Sequence, residues 1–201
     1  MKIKPLIHPA SLAVMAISFV TAAAIQSLPP DRARALTSES GPFEIISALT
    51  YGVAVTLAAC QLWQERTRIR LSALVMLLWA FLRELDYQKR FTYRSIESIG
   101  YYTRPYAPWP EKLLALAALT PFAVAGVYLL FRLVRRLRSP VQEVETWQAH
   151  WLAIIILIVS SSVMEKLLHW GAAEEVCEAG LAIVVVLLVW ALRPRSSPAS
   201  A

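Results

Sequence analysis

Six carboxylates and one histidine stand where long apolar segments end: Glu44, Glu84, Asp86, Glu165, Glu175, Glu178 and His169. Hard oxygen ligands in such number suit Mg²⁺, Mn²⁺ or Ca²⁺. With one imidazole in the set, zinc is less favoured. A metal held there would act as a Lewis acid and clamp a phosphate, with a neighbouring carboxylate as general base. On this reading Glu84, Asp86, Glu165 and His169 carry catalysis. Glu44, Glu84, Glu165, Glu175 and Glu178 hold the metal, and Arg83, Arg90, Arg94, Arg104 and Tyr51 bind the substrate.

The spacing supports a helical site. Ser161, Glu165 and His169 follow at i, i+4 and i+8, so they share one helical stripe. Ser161 and His169 are then about 12 Å apart along the axis, too far for a nucleophile pair. Glu165 and His169 are one turn apart, the spacing of helical metal-ligand pairs. Glu174 and Glu178 are i,i+4 and Glu175 and Glu178 i,i+3, and like charges at these spacings repel unless a cation or proton intervenes. Glu44 follows Pro42 like a helix-capping carboxylate, but Ser47 and Tyr51 extend a polar stripe inward behind it. Arg83, Asp86 and Arg90 form a possible i,i+3 and i,i+4 ladder, with Glu84 off it.

The elements that must position these groups are membrane helices. The chain has 201 residues, and 57% of them are hydrophobic, more than a soluble domain of this size needs. Crossing the hydrocarbon core takes about 20 helical residues. Six segments come near that length: Ala10–Leu28, Phe43–Trp63, Leu71–Tyr87, Lys112–Val134, Ala149–Leu168 and Ala173–Leu192. The fold expected is an all-α bundle of six transmembrane helices in three hairpins, one polytopic domain over residues 1–192, with a disordered Ser/Pro tail at 193–201.

Basic residues set the orientation. Lys2 and Lys4, then Arg66, Arg68 and Arg70, then Arg132, Arg135, Arg136 and Arg138, and finally Arg193 and Arg195 mark one side. By the positive-inside rule that side is cytoplasmic, with both termini inside, as in a multi-pass protein of a bacterial inner membrane. The net charge of +6 reflects these anchors and gives no reason to expect a nucleic-acid partner. The carboxylates then share the outer face, where burying a charge costs roughly 2.5–3.5 kcal/mol on insertion scales. The start of the chain also has the form of a signal peptide, with small residues at Ala22–Ala24, although a retained first span is the expectation. Cys60 and Cys177 fall at opposite ends of their spans, too far apart for a disulfide.

The connection Gln88–Glu111 carries Arg94, Arg104, Tyr101, Tyr102, Tyr106 and Trp109. It reads as an aromatic belt at the headgroup level or as an Arg/Tyr cradle for a phosphate or sugar headgroup. A faint Glu-x-x-x-Ala repeat opens three spans, at Glu44, Glu111 and Glu175. Helix dipoles favour acidic residues in any first turn, which accounts for the repeat, with internal duplication into three out-and-in hairpins as the alternative.

Three functions compete. One is a metal-assisted enzyme acting on a lipid headgroup or lipid-linked substrate in the outer leaflet. Another is a non-catalytic subunit with a salt-bridged rim that assembles with its own copies or with a partner membrane protein. The third is a cation- or proton-coupled transporter. The inner halves of four spans (Leu71–Leu82, Phe122–Phe131, Leu152–Val159 and Leu181–Leu192) hold no charge, which counts against a conduction path.

Overall fold

The computed structural model describes residues 8–38, 41–87, 96, 99–103, 105, 107–137, 146–166 and 171–193. Among these the chain is helical and has no strand. The helices are α1 (Pro9–Gln26), α2 (Pro30–Leu36), α3 (Pro42–Gln64), α4 (Arg68–Glu84), α5 (Ile99–Thr103), α6 (Trp109–Leu137), α7 (Thr146–Lys166) and α8 (Gly171–Ala191). The all-α expectation holds, and the six long segments coincide with α1, α3, α4, α6, α7 and α8 to within a few residues. Pro9–Gln26, Pro42–Gln64 and Trp109–Arg135 are long and apolar enough to cross a membrane. The tail at 194–201 lies outside the described residues.

Local chemistry sets the boundaries. His8 caps α1: its Nδ1 accepts from the Ala10 amide at 3.3 Å, and Pro9, with no N–H to satisfy, takes the first helical position. Thr67 caps α4, its hydroxyl accepting from the Arg70 amide. Gly41 precedes α3 because nothing larger fits. A Cβ there would come 2.5 Å from the Leu36 carbonyl oxygen and 2.9 Å from that of Ser38. Pro121 sits inside α6, a position that membrane helices tolerate better than soluble ones.

One predicted boundary is corrected. The third segment was expected to run to Tyr87, but α4 stops at Glu84 with Leu85 as its C-cap. Asp86 turns left-handed, at φ 51°, and its N–H reaches back to the Arg83 carbonyl at 2.9 Å. Aspartate tolerates this conformation better than most residues, so the helix can close here. The helical register assumed for an Arg83–Asp86–Arg90 ladder therefore ends before Asp86.

By packing, the chain divides into two compact units: Met1–Leu57 with Val141–Ala201, and Ala58–Pro140. In the first unit α8 runs antiparallel to both α1 and α7. One core cluster joins Met15 near the start of α1, Ala153, Ile154 and Leu157 near the start of α7, and Val184 and Leu188 near the end of α8. A second joins Ala22 and Ile25 near the end of α1 to Ala173 and Val176 at the start of α8, with Phe43 and Met164 packed against it. Small residues line these seams. Ala153, Ala173 and Ala182 are fully buried, which lets the backbones approach closely. At Gly180 of α8 an added Cβ would overlap Ser18 Oγ of α1 and lie 3.1 Å from Ser18 Cβ.

In the second unit α4 packs on α6, with Trp79 and Phe122 ring centroids 4.6 Å apart and Met76 against Gly126. Arg70 knits the turn between α3 and α4. It pairs with Glu65 at 2.6 Å and donates to the Gln61 carbonyl at 3.0 Å. α6 exposes Leu113, Leu114, Leu116, Val124, Val127 and Leu130, and only 11% of its most apolar stretch is buried. Such a surface would drive association in water and is normal in contact with lipid.

Candidate functional site

Four carboxylates lie toward one end of the first unit. Phe43 packs on the Ala22, Ile25, Ala173 and Val176 cluster, so the first turn of α3 and the first turns of α8 start at the same end. That end carries Glu44 on α3 and Glu174, Glu175 and Glu178 on α8. All four are half-buried, and none is isolated from neighbouring groups. Glu44 Oε2 is sealed from solvent. Behind it Ser47 is buried and donates to the Glu44 carbonyl at 3.0 Å, and Tyr51 is 6% exposed. The polar stripe read from the sequence is therefore the buried face of α3. Cys177, fully buried between these glutamates in sequence, sets its Sγ 3.7 Å from the sulfur of Met164 near the end of α7. Both cysteines are free thiols.

The other predicted site residues fall elsewhere or outside the described residues. Arg83, Glu84 and Asp86 close α4 in the second unit, with Arg83 exposed and the two carboxylates half-buried. Arg90, Arg94, Arg104 and His169 are outside the described residues, as is the Glu165 side chain, although its backbone continues α7. Among the described residues no three His, Cys, Asp or Glu side chains come together as a metal-holding group.

A second polar cluster lies before and at the start of α6. Lys112 is 7% exposed, donates from Nζ to the Tyr102 carbonyl at 3.0 Å, and sits 5.4 Å from the Trp109 ring centroid. The Tyr101 and Tyr102 rings meet edge to face at 5.1 Å. Tyr102 donates its hydroxyl to the Ile96 carbonyl at 2.7 Å. Burial, and then the neighbouring Tyr101, hold the Tyr102 phenol protonated above its ordinary range, as a donor requires. Tyr101 is 3% exposed, and its buried hydroxyl has no hydrogen-bond partner among the described residues.

No family model, curated protein or solved structure matches this chain.

Two groups of residues escaped the sequence reading. At the opposite end of the first unit, Ser11 of α1 and His150 of α7 share a buried hydrogen bond of 2.6 Å. The His150 ring lies against that of His8, with centroids 4.5 Å apart and a 30° tilt. The Ser–His pair that spacing excludes within α7 thus exists between helices. It is sealed, with Ser11 at 0% and His150 at 2% exposure, so it joins helices and cannot serve as a nucleophile. No spacing rule could reveal a pair 139 residues apart. Lys112 did leave a signal. It is a cation in the first turn of a helix apolar enough to cross a membrane.

Proposed function

We propose that this chain is a multi-pass membrane protein of six crossings, with both termini cytoplasmic. On this reading the acidic end of its first unit binds a divalent cation, Mg²⁺, Mn²⁺ or Ca²⁺, and acts with it on a lipid headgroup or lipid-linked substrate. One observation carries the reading. Phe43 seats the start of α3 on the core cluster that also holds the start of α8, so Glu44 is enclosed at the end that carries Glu174, Glu175 and Glu178. Glu174 with Glu178, and Glu175 with Glu178, fall at helical spacings where like charges repel, and a cation beside them would relieve that repulsion. The cation would supply Lewis acidity, and a neighbouring carboxylate would take a proton from the attacking group. Glu165 and His169, at and beyond the end of α7, are proposed for this end from their sequence positions. Glu84 and Asp86 belong to the other unit and are candidates on their own.

Glu44→Gln keeps the shape of the side chain and removes its charge. Protein purified in detergent should lose bound metal by elemental analysis while still folding, and any lipid-directed activity should fall with it. A metal-free wild type, or a variant that keeps its metal, would reject the reading. Orientation is tested separately. Reporter fusions after Arg68 and after Arg136 should both report the cytoplasm, and an external signal at either would reverse the arrangement.

A non-catalytic assembly subunit is the second reading. It is favoured by the broad apolar exposure of α6, which a partner helix could cover as well as lipid.

A further inference from the structure

We propose that the C-terminal half of α6 is a docking surface for an anionic phospholipid. An acyl chain lies in the groove lined by Ala123, Val124, Val127, Tyr128 and Phe131, and the headgroup phosphate meets Arg132. The surface lies wholly within the second unit and requires nothing of the acidic end of the first.

The groove has a volume of about 520 Å³, and four of its five lining residues carry no polar side-chain atom. It stands open: Val124, Val127 and Phe131 are 63%, 67% and 62% exposed. α6 is long and apolar enough to cross a membrane, and an open apolar groove on such a helix faces acyl chains. The stripe that lines the groove runs on into charge. Arg132 follows Tyr128 at i+4, and Arg135 follows Phe131 at i+4. Hydrocarbon therefore gives way to guanidinium within one turn, about 5.4 Å. A phospholipid makes the same change, from acyl chain to phosphate. Tyr128, one turn inside Arg132, offers a phenol where the lipid has its ester oxygens. Arg135 has a neighbour of its own, so the phosphate is assigned to Arg132, which is exposed.

The rest of that end complements an anion. α4 runs antiparallel to α6, with Trp79 on Phe122 and Met76 on Gly126. Eight residues back from Met76 stands Arg68, and eight on from Gly126 stands Val134, each about 12 Å along its helix. Arg68, also exposed, thus opens α4 at the level where Arg132 and Arg135 close α6. Arg66 precedes it, with its guanidinium 5.7 Å from the ring centroid of Trp63, a tryptophan 80% exposed. Tryptophan favours the headgroup zone. Glu65, the carboxylate of this turn, is paired with Arg70 at 2.6 Å. Arginine matches phosphate geometry, and the surplus of positive charge selects an anionic headgroup over a zwitterionic one.

The test uses the full chain in detergent, with the melting temperature followed against lipid added to the micelles. The probes are dioleoylphosphatidylglycerol, dioleoylphosphatidylcholine and, as a headgroup without chains, glycerol 3-phosphate. Phosphatidylglycerol should raise the melting temperature saturably, with a midpoint about tenfold below that of phosphatidylcholine. Glycerol 3-phosphate should have no effect over the same range. Arg132→Gln should weaken the phosphatidylglycerol midpoint about tenfold, as loss of a charged hydrogen bond does, and Arg132→Lys should retain most of the binding. Ala123→Trp, which fills the groove from an exposed position, should weaken it about as much. Arg193→Gln removes an equal charge from the first unit, where the guanidinium lies over Trp190, and should change nothing. If Arg132→Gln or Ala123→Trp does not fold, the other decides alone. Equal midpoints for the two lipids, glycerol 3-phosphate acting as strongly as phosphatidylglycerol, or an unchanged midpoint in a folded Arg132→Gln or Ala123→Trp would overturn the proposal. So would an Arg193→Gln variant as impaired as Arg132→Gln, because net charge alone would then explain the binding.

Discussion

Gly180→Val should lower the melting temperature in detergent sharply, with a loss of about 3 kcal/mol or more. Overfilling a packed core typically costs about 1–3 kcal/mol, and valine adds three carbons where the first already overlaps Ser18 Oγ. Relief is limited on both sides. Ser18 can rotate its hydroxyl away, but its Cβ would still lie 3.1 Å from the new one, and Leu157 closes the far side at 3.9 Å. The seam between α1 and α8 would have to open, and α8 also packs on α7, so the damage reaches the whole first unit. A double-mutant cycle isolates the contact. Gly180→Ala should be mildly destabilising alone and close to neutral beside Ser18→Gly, which clears the space. If the two effects simply add, α1 and α8 do not meet at this point and the packing described for the first unit is wrong.

His150→Phe should cost about 1–3 kcal/mol in the same measurement. Phenylalanine keeps the ring and its apolar packing but leaves the Ser11 hydroxyl, at 0% exposure, without its partner. Ser11→Ala alone strands the polar atom of His150 in the same way. Removing both groups together should recover much of the loss, because two apolar groups need no partner. His8 should feel the change less, since its ring contact survives with phenylalanine and its Nδ1 still caps α1. A His150→Phe variant as stable as wild type would show that the hydrogen bond does not hold α1 to α7.

Helix existence was legible in the sequence, and the reason is physical. Hydrocarbon satisfies no backbone polar group, so a long apolar run at membrane depth has to be helical. The stop of α4 was not legible. Leu85, Asp86 and Tyr87 read as a continuing amphipathic helix, and only the backbone turn at Asp86, closed by the Arg83 carbonyl, ends it. The glutamates of α8 were legible as a cluster because helical spacing alone sets them side by side. Their sharing an end with Glu44 follows from Phe43 packing on the cluster of Ala22, Ile25, Ala173 and Val176, a contact that no local pattern encodes.

What the sequence by itself determined is the inventory: helices of spanning length, their approximate ends, and carboxylates crowded at helix starts. Tertiary structure alone decided the partnerships. It put α8 against both α1 and α7, joined Ser11 to His150, and gathered Tyr101, Tyr102 and Lys112. In a soluble protein the apolar stripe of a helix announces which face is buried. A helix apolar enough to cross a membrane can carry leucine and valine on both faces alike, and the stripe disappears. Only close approach leaves a local mark, as at Gly180 against Ser18, and its meaning appears once the partner helix is in place.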